Sequence, residues 1–337
     1  MAKCSSCNKP AIYINKVSGL AYCRQHFIEH FERKVRKAIR KYKMIGESEH
    51  IIVAVSGGKD SMALLHFFQK FKSKLPKLEI TAVLVDEGIA GYREKTIPNL
   101  ISYASRHGVR YIIASFKNYI GKTLDEIVKE SFEKGLPYMP CSYCGVFRRH
   151  VLNAVAREVS ATVIATAHNM DDVVQTYLMN LVNNSWERII ALTPVRCSND
   201  ELIVKRIKPF YELPEKETAL YAILNNLVQL EFAQCPYVKY NMRFVIRRMI
   251  NELEDKYPGS KHGLLKNLLE LFTMQCWSKL PEKEYLKCTI CGNPSSHAVC
   301  KACMFKMKLG LLQPELEKKV YEAAKVDSSI AKSLQST

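Results

Sequence analysis

A short loop, Ser56-Gly57-Gly58-Lys59-Asp60-Ser61, joins an apolar run over residues 51–55 to a helical pattern that starts at Met62. Glycine lets the backbone approach an anion closely, and N–H groups at a helix N-terminus attract negative charge. The serine hydroxyls and Lys59 add donors and a positive charge. The spacing is neither that of the Walker A loop nor that of the GxGxxG motif. The loop therefore predicts a phosphate-binding site, the alternative being an ordinary strand–helix turn with a surface lysine and aspartate.

Two sets of four metal ligands lie near the two ends of the chain. Each set has two short knuckles, and the sets are Cys4, Cys7, Cys23 and His26, and Cys288, Cys291, Cys300 and Cys303. Four protein ligands complete the tetrahedral coordination of a zinc ion and leave no open position for water or substrate. The sets therefore predict two structural Zn²⁺ ions that fold small modules, rather than coincidental buried thiols.

A third cysteine pair, Cys141 and Cys144, has no second knuckle nearby and comes just before a helix predicted over residues 146–159. A helix N-terminus and the guanidinium groups of Arg148 and Arg149 lower the pKa of a thiol, so we expect thiolates here. The candidate third ligand is Cys235, far along the chain.

Three thiolates on an iron–sulfur cluster leave one iron open. From the residues alone, a redox-active dithiol or an incomplete third zinc site fits this pair equally well. Cys197 and Cys276 have no partner at ligand spacing and are interpreted as small buried residues.

Short β-branched runs alternate with helical patterns in the middle of the chain. Strands are predicted over residues 51–55, 80–85, 111–114 and 162–167, with helices over 61–71, 95–107, 124–134 and 146–159. This alternation favours a parallel, doubly wound α/β sheet with flanking helices. Ligands bind such sheets beyond the carboxyl ends of the strands.

Two predicted strand ends carry polar residues. Asp86-Glu87-Gly88 follows one strand, and Ala167-His168-Asn169-Met170-Asp171-Asp172 closes another. Both should lie beside the phosphate loop. Asn169 or Asp171 is also expected to cap the helix that follows.

The 337-residue chain carries a formal net charge of +17, which indicates a polyanionic partner, by default nucleic acid. A helix predicted over residues 27–44 concentrates seven of the cations, which serve either as a solvated face or as phosphate contacts: Arg33, Lys34, Arg36, Lys37, Arg40, Lys41 and Lys43. No run approaches the ~20 apolar residues of a membrane span, and no signal stretch is visible. We therefore expect a cytoplasmic protein whose cysteines serve metal or redox chemistry rather than disulfides.

The ordered set of motifs resembles the TtuA/NcsA group of tRNA 2-thiouridine synthetases, PP-loop enzymes of the ATP pyrophosphatase type. In chain order it comprises a zinc module, a basic helix, SGGKDS, PCSYCG, HNxDD, a late Cys-Pro and a terminal zinc ribbon. A single motif is weak evidence for membership of this group, whereas the ordered set of motifs is specific and covers nearly the whole chain. The resemblance implies an enzyme that adenylates the 2-carbonyl oxygen of a tRNA uridine and replaces that oxygen by sulfur.

The resemblance also implies the cofactors and their residues. Cys141, Cys144 and Cys235 would hold a 4Fe-4S cluster, beside ATP with Mg²⁺ and the two Zn²⁺ ions. Arg148 and Asp172 would lie near the reacting centre, with Lys59 and Asp60 in the ATP-dependent step. The remaining residues expected to contact ATP are Ala54, Ser56, Gly57, Gly58, Ser61, Val85, Asp86, Ala167 and His168.

Two positions depart from the pattern of the group. Ala167 stands where many members have glycine, which crowds the nucleotide pocket slightly, and Arg148-Arg149 follows the CxxC pair where many have lysine. Because arginine does not release its proton at ordinary pH, any role at that position is electrostatic.

With the resemblance, the chain divides into six parts: an N-terminal zinc finger at 1–28, a basic linking helix at 29–48, the PP-loop adenylation domain at 49–212, a helical RNA-binding region at 213–284, a zinc ribbon at 285–306 and a C-terminal helix and tail at 307–337. The expected partners are tRNA and a sulfur donor, either a thiocarboxylated ubiquitin-like protein or sulfide. No membrane contact is expected, and the oligomeric state stays open, with a homodimer among the expectations.

Members of the group act on the wobble uridine or on a T-loop uridine. The wobble base is already unpaired, whereas a T-loop base must leave tertiary contacts, so we favour the wobble position. Runs such as residues 180–184 also contain thermolabile asparagines, which are less common in proteins of hyperthermophiles. Because T-loop thiolation is useful in hyperthermophiles, these runs weigh against a T-loop enzyme. The alternatives are 2-thiocytidine synthesis, a lysidine- or amide-forming PP-loop enzyme, and a non-catalytic zinc-module RNA-binding protein.

Overall fold

A computed structural model describes residues 2–196, 204–227, 235–237, 242–274 and 286–335. Cys197 and Cys276 lie outside the described residues, so their interpretation as small buried residues stays a prediction. The described strands are β1 (Tyr13–Ile14), β2 (Ala21–Tyr22), β3 (Glu49–Val55), β4 (Leu78–Asp86), β5 (Arg110–Ser115), β6 (Val163–Ala165), β7 (Val195–Arg196), β8 (Lys205–Ile207), β9 (Leu286–Lys287) and β10 (Pro294–Ser295).

The described helices follow the same order along the chain. They are α1 (Arg24–Lys41), α2 (Lys59–Lys72), α3 (Arg93–His107), α4 (Phe116–Ile120), α5 (Leu124–Glu133), α6 (Pro140–Glu158), α7 (Met170–Val182), α8 (Trp186–Ile190), α9 (Glu215–Leu224), α10 (Arg243–Lys256), α11 (Ser260–Leu271), α12 (Lys301–Lys308), α13 (Pro314–Val326) and α14 (Ser328–Gln335). No helix among the described residues is both long enough and apolar enough to span a bilayer.

The central sheet has the strand order β5-β4-β3-β6-β8-β7, and every neighbouring pair is parallel except β7 with β8. In the middle of the sheet Val53 pairs with Ala82 on one side and Ala165 on the other. The parallel, doubly wound sheet predicted from the alternation of strands and helices is confirmed. The strands extend the predicted runs by one to three residues, except β6, which is shorter than predicted.

Side chains of β3 alternate between two cores, one on each face of the sheet. Ile51 and Val53 pack with α1, α2 and α9 on one face, while Ile52 packs with α5, α6 and the C-terminal module on the other. A third core joins α7, α10 and α11. Because β3 and β4 are buried on both faces of the sheet, their sequences are nearly continuous apolar runs.

Helix α6 begins two turns earlier than predicted. It starts at Pro140 rather than residue 146, so Cys141 and Cys144 lie within the helix instead of before it. Proline is well suited to the first helical position, because its missing N–H would have no partner there and its φ is already helical. The CxxC spacing therefore places the two thiols three residues apart, on one face of the helix.

The two cysteine-rich ends form small hairpins that dock on the central domain. The N-terminal hairpin of β1 and β2 leads directly into α1, whose N-cap is Cys23. The C-terminal module packs on α6, where Asn293 Nδ2 lies 2.9 Å from His150 Nδ1 and Phe305 contacts the rings of Tyr143 and Phe147. Each end module is thus continuous with an apolar core rather than tethered loosely.

Candidate active site and metal-ligand clusters

The phosphate loop lies between β3 and α2, at the carboxyl edge of the sheet. Gly57 has φ +79°, and a Cβ there would lie 2.2 Å from the carbonyl oxygen of Thr96 on α3. Gly58 is the N-cap of α2 and makes no side-chain cap. The first N–H groups of α2 therefore have no intrahelical partner and can receive an anion. Gly57 is required by its conformation and by α3, while Gly58 leaves the loop backbone open.

Hydroxyls brace the loop from inside. The Ser61 hydroxyl donates to Gly58 O at 3.0 Å and accepts from the N–H of Ser56, also at 3.0 Å. Ser56 O in turn accepts from Arg93 Nη1 at 2.8 Å. The loop is therefore held in one shape by α2 and α3 together.

Lys59 bridges two carboxylates. Its Nζ lies 2.8 Å from Asp60 Oδ2 and 2.8 Å from Glu215 Oε1. Burial acts to lower the pKa of Lys59, but the two carboxylates outweigh it and raise that pKa, so the lysine stays charged. Asp60 also accepts from the Thr218 hydroxyl, and burial raises the pKa of its carboxyl.

Glu215 was not found by sequence reasoning. It sits more than 150 residues beyond the loop, in the first turn of α9, and its role depends on how α9 packs on α2. Arg247 also reaches it, at 2.9 Å. A glutamate after a proline at a helix start has no distinguishing spacing, so no local signal marks this residue.

A chain of charged contacts links the phosphate loop to the thiols. Arg93, which holds Ser56 O, pairs with Glu87, a residue with no exposed area. Arg148 Nη2 lies 2.6 Å from Glu87 Oε1 and 3.1 Å from Cys144 Sγ. Burial opposes the charge on Arg148, but Glu87 outweighs it and raises its pKa. Glu87 was quoted in the strand-end motif but not assigned a role, although a carboxylate directly after a buried strand was the available signal.

The structure does not gather the three cysteines expected to form one site as tightly as the end sets: the described residues contain two groups of ligand atoms within 4.8 Å of one another, and Cys141, Cys144 and Cys235 are in neither. Cys141 is exposed, while Cys144 and Cys235 are half-buried. Burial raises the pKa of Cys141, and it raises that of Cys144 to about 11 even though Arg148 acts in the opposite direction. A negative charge on Cys235 raises both pKa values further. The expectation of lowered thiol pKa values is therefore wrong for the free thiols, because burial outweighs Arg148.

The end of β6 brings further polar groups to the same edge. Asn169 and Asp172 form a capping box at the start of α7, with N–O distances of 3.0 and 3.3 Å. Asp172 also lies 3.4 Å from Arg243, and burial raises the pKa of its carboxyl. The expected cap by Asn169 is present. Asp171 instead accepts the N–H of Glu215 at 2.7 Å and pairs with buried Lys261.

The other expected nucleotide contacts line the adjoining strand ends. Val85 is buried and Ala54 and Ala167 are half-buried, while Asp86 Oδ1 accepts the N–H of Gly88 at 2.8 Å and shapes the turn after β4. His168 is exposed, yet the walls around it desolvate its ring, and this together with nearby cations lowers its pKa to about 4. The ring is therefore neutral at physiological pH.

Both sets of four ligands are gathered within reach of one ion. In each set the ligand atoms lie within 4.8 Å of one another. Cys7 Sγ lies 3.8 Å from Cys23 Sγ, and Cys291 Sγ lies 3.6 Å from Cys300 Sγ. A tetrahedral zinc with Zn–S bonds of about 2.3 Å has an S–S edge of about 3.8 Å. His26 Nδ1 is 3.3 Å from Cys4 Sγ, so the imidazole completes the first set.

The basic helix α1 is less available than its sequence suggests. Lys34 lies 2.7 Å from the fully buried Glu217, and Lys41 pairs with Glu212. Arg36 pairs with Glu32 of its own helix. Part of its positive charge therefore anchors α1 to α9 and the preceding loop rather than facing a polyanion.

Comparison with known proteins agrees with this arrangement. The model of the PP-loop domain family matches residues 27–253. A probable sulfurtransferase of Methanocaldococcus jannaschii is 34% identical, and the match covers 90% of this chain and 87% of that protein. The chain belongs to the PP-loop domain family.

Two further relatives are named for different tRNA uridines, position 54 in one and position 34 in the other. The tRNA-5-methyluridine(54) 2-sulfurtransferase of Pyrococcus horikoshii is 32% identical, over 90% of this chain and 93% of that protein. The solved structure of the U34-tRNA thiolase NcsA from Methanococcus maripaludis with its 4Fe-4S cluster is 33% identical. It superposes with a TM-score of 0.79, over 93% of this chain and 98% of that chain.

Proposed function

We propose that this protein is an ATP-dependent tRNA-uridine 2-sulfurtransferase that acts at the wobble position of the anticodon. The observation that carries the proposal is the contact chain from Ser56 through Arg93, Glu87 and Arg148 to Cys144. It joins a phosphate loop and a thiol site across adjacent strand ends, as a reaction that couples nucleotide chemistry to sulfur chemistry requires.

The chemistry explains why both sites are needed. The carbonyl oxygen of uracil is a poor leaving group, so O2 of the base first attacks the α-phosphorus of ATP and pyrophosphate leaves. A sulfide sulfur then adds at C2, the C–O bond breaks, and AMP departs with the oxygen while the C=S group forms. The loop N–H groups and Lys59 bind the phosphates, and Arg148 supplies fixed positive charge without moving a proton.

The thiols suit the iron–sulfur cluster that the family pattern implies. Three soft thiol ligands, Cys141, Cys144 and Cys235, are coupled electrostatically, and Cys141 is open to solvent. Cys141, Cys144 and Cys235 would hold the cluster, which would supply an iron without a protein ligand for the sulfur chemistry. Burial outweighs Arg148 in setting the pKa of the free Cys144 thiol, but Arg148 still acts toward the thiolate form that such ligation requires.

We propose zinc for both end modules and Mg²⁺ for the nucleotide. The soft or borderline ligand sets and their near-tetrahedral edges support zinc. Mg²⁺ prefers carboxylate and phosphate oxygens. Asp60 lies in the first turn of α2 and Asp172 in the first turn of α7, and they are the candidates to share the ion with ATP.

The wobble position is supported by the lower cost of reaching an unpaired base. The U34 thiolase aligns over nearly the whole chain, although a U54 enzyme is similarly related. A cytoplasmic location is supported by the described cysteines, none of which forms a disulfide, as suits a reducing compartment. The six-part domain division and the homodimer are further parts of the proposal, which limited proteolysis and sedimentation test.

Nucleoside mass spectrometry of tRNA from a host with and without this gene tests the function. We expect 2-thiouridine to disappear and to return when the gene is restored. Sequencing of the tRNA then locates the position that has lost its sulfur. If the loss is confined to the T-loop, the wobble assignment is wrong. If neither position loses sulfur, the protein is not a thiouridine synthetase. Anaerobic assays with sulfide or with a thiocarboxylated ubiquitin-like protein identify the sulfur donor.

A further inference from the structure

A cleft lined by cations lies between α6, the β7–β8 edge and the C-terminal module. Its volume is about 210 Å³, large enough for a phosphate-sized anion. Arg149 on α6, Arg196 on β7, Arg206 on β8 and Lys301 on α12 all line it. Three arginines therefore come together from three separate elements, whereas Lys301 Nζ lies over the rings of Tyr138 and Phe305. Among the described residues, no carboxylate lines the cleft.

Two arginines of this cleft, Arg149 and Arg206, are held in place without an acid among the described residues. Arg206 Nη2 donates to Asn153 Oδ1 at 2.8 Å and to the carbonyl oxygen of Arg149 at 3.4 Å. Within the described part of the chain, neither Arg149 nor Arg206 forms an ion pair with a carboxylate. The pKa of Arg206 falls to about 10 through burial and the charges of Arg149 and Arg196. Gathering like charges in this way costs free energy that a bound anion would offset.

The cleft adjoins the proposed reaction centre. Arg149 follows Arg148, which contacts Cys144, and the charge of Cys144 acts on Arg149 as well. The cleft and the thiols therefore share helix α6.

We propose that this cleft binds a backbone phosphate of the substrate tRNA next to the uridine being modified. The inference rests on the proposed function. A phosphodiester chain suits the site better than a single carboxylate does, because several arginines converge and each planar guanidinium matches phosphate oxygens. The formal net charge of +17 supports the same class of partner.

The test is the salt dependence of tRNA binding by the full-length, cluster-loaded protein. The variants are Arg149→Gln and Arg206→Gln. The matched control is Arg110→Gln, an exposed arginine on β5 at the opposite edge of the sheet. Each lost phosphate contact reduces the slope of log K against log salt concentration by about 0.7 to 0.9. We expect that reduction for each cleft variant, with weaker tRNA binding, and no change for Arg110→Gln.

Several outcomes overturn the inference. The inference is wrong if both cleft variants keep the salt slope of the unmodified protein while normal ATP binding shows that they are folded. It is also wrong if they lose thiolation with unchanged tRNA affinity, which would assign the cleft to the sulfur donor or another anion. If the unmodified protein thiolates tRNA while the slopes stay equal, only the inference fails. If it neither binds nor thiolates any tRNA, the proposed function fails and the inference with it.

Discussion

Glu87 and Arg148 form an ion pair whose acidic member has no exposed area, with Arg148 Nη2 2.6 Å from Glu87 Oε1. Arg93 pairs with the other oxygen of the same carboxylate. One buried negative charge thus serves two arginines, one holding the phosphate loop and the other touching Cys144. The two halves of the proposed site are therefore positioned by a single side chain.

Replacing Glu87 by glutamine should destabilise the fold. The amide keeps the shape but leaves Arg93 and Arg148 without a counter-charge, and breaking a buried pair in this way costs about 3 kcal/mol. Urea denaturation measures the loss. The control Glu79→Gln, an exposed position on β4, the strand that precedes Glu87, should change the free energy of unfolding by less than about 0.5 kcal/mol. Equal stabilities for the two variants would mean that Glu87 does not support the arginines.

The two glycines of the loop should respond differently to alanine. At Gly57 the added Cβ meets the carbonyl of Thr96 and the backbone has positive φ, so we expect a loss of at least about 2 kcal/mol. At Gly58 the nearest atom to the Cβ is Ser56 Oγ at 3.4 Å, and the loss should be about 1 kcal/mol or less. Thermal unfolding of both variants measures these losses of stability. A larger loss for Gly58→Ala than for Gly57→Ala would contradict the described loop.

Lys59→Ala should slow the ATP-dependent step without removing the cluster. The variant loses a phosphate-binding cation and leaves Asp60 and Glu215 unneutralised beside the nucleotide. Pyrophosphate release should fall on the order of a hundredfold, the scale of losing one preorganised donor. Lys70→Ala on the same helix, whose lysine faces Glu32, serves as the control. Normal pyrophosphate release by Lys59→Ala would exclude the lysine from the reaction.

Cys235→Ala should abolish the visible absorbance of the anaerobically reconstituted cluster and stop thiolation. ATP and tRNA binding should persist, because their groups lie on other elements. Cys197→Ala, at a cysteine without ligand spacing, is the control and should keep the absorbance. Full thiolation by Cys235→Ala would remove this cysteine from the mechanism.

Elemental analysis of protein purified without oxygen should return about two zinc ions per chain, by the count of complete ligand sets. Cys303→Ser should lower that value by about one and loosen the packing of the C-terminal module on α6. Far less than one zinc in a folded chain would show that both ligand sets are stabilised without metal.

Local patterns were sufficient to predict the sheet, because β3 and β4 are buried runs and the helices between the strands keep their period. They also predicted Asn169 as a cap and the two ligand sets, whose spacing is local. Patterns did not predict Glu215 or the burial of Cys144, since both depend on packing between distant segments. The start of α6 was missed because Pro140 was not recognised as its first residue.

The rings of Tyr143 and Phe147 rest against Phe305, which lies near the C-terminal end of the chain. During synthesis this support emerges from the ribosome long after Cys141 and Cys144 have appeared. We therefore expect the helix that carries these thiols to settle only after Phe305 has been synthesised. Cluster loading would then favour chains that include the C-terminal module.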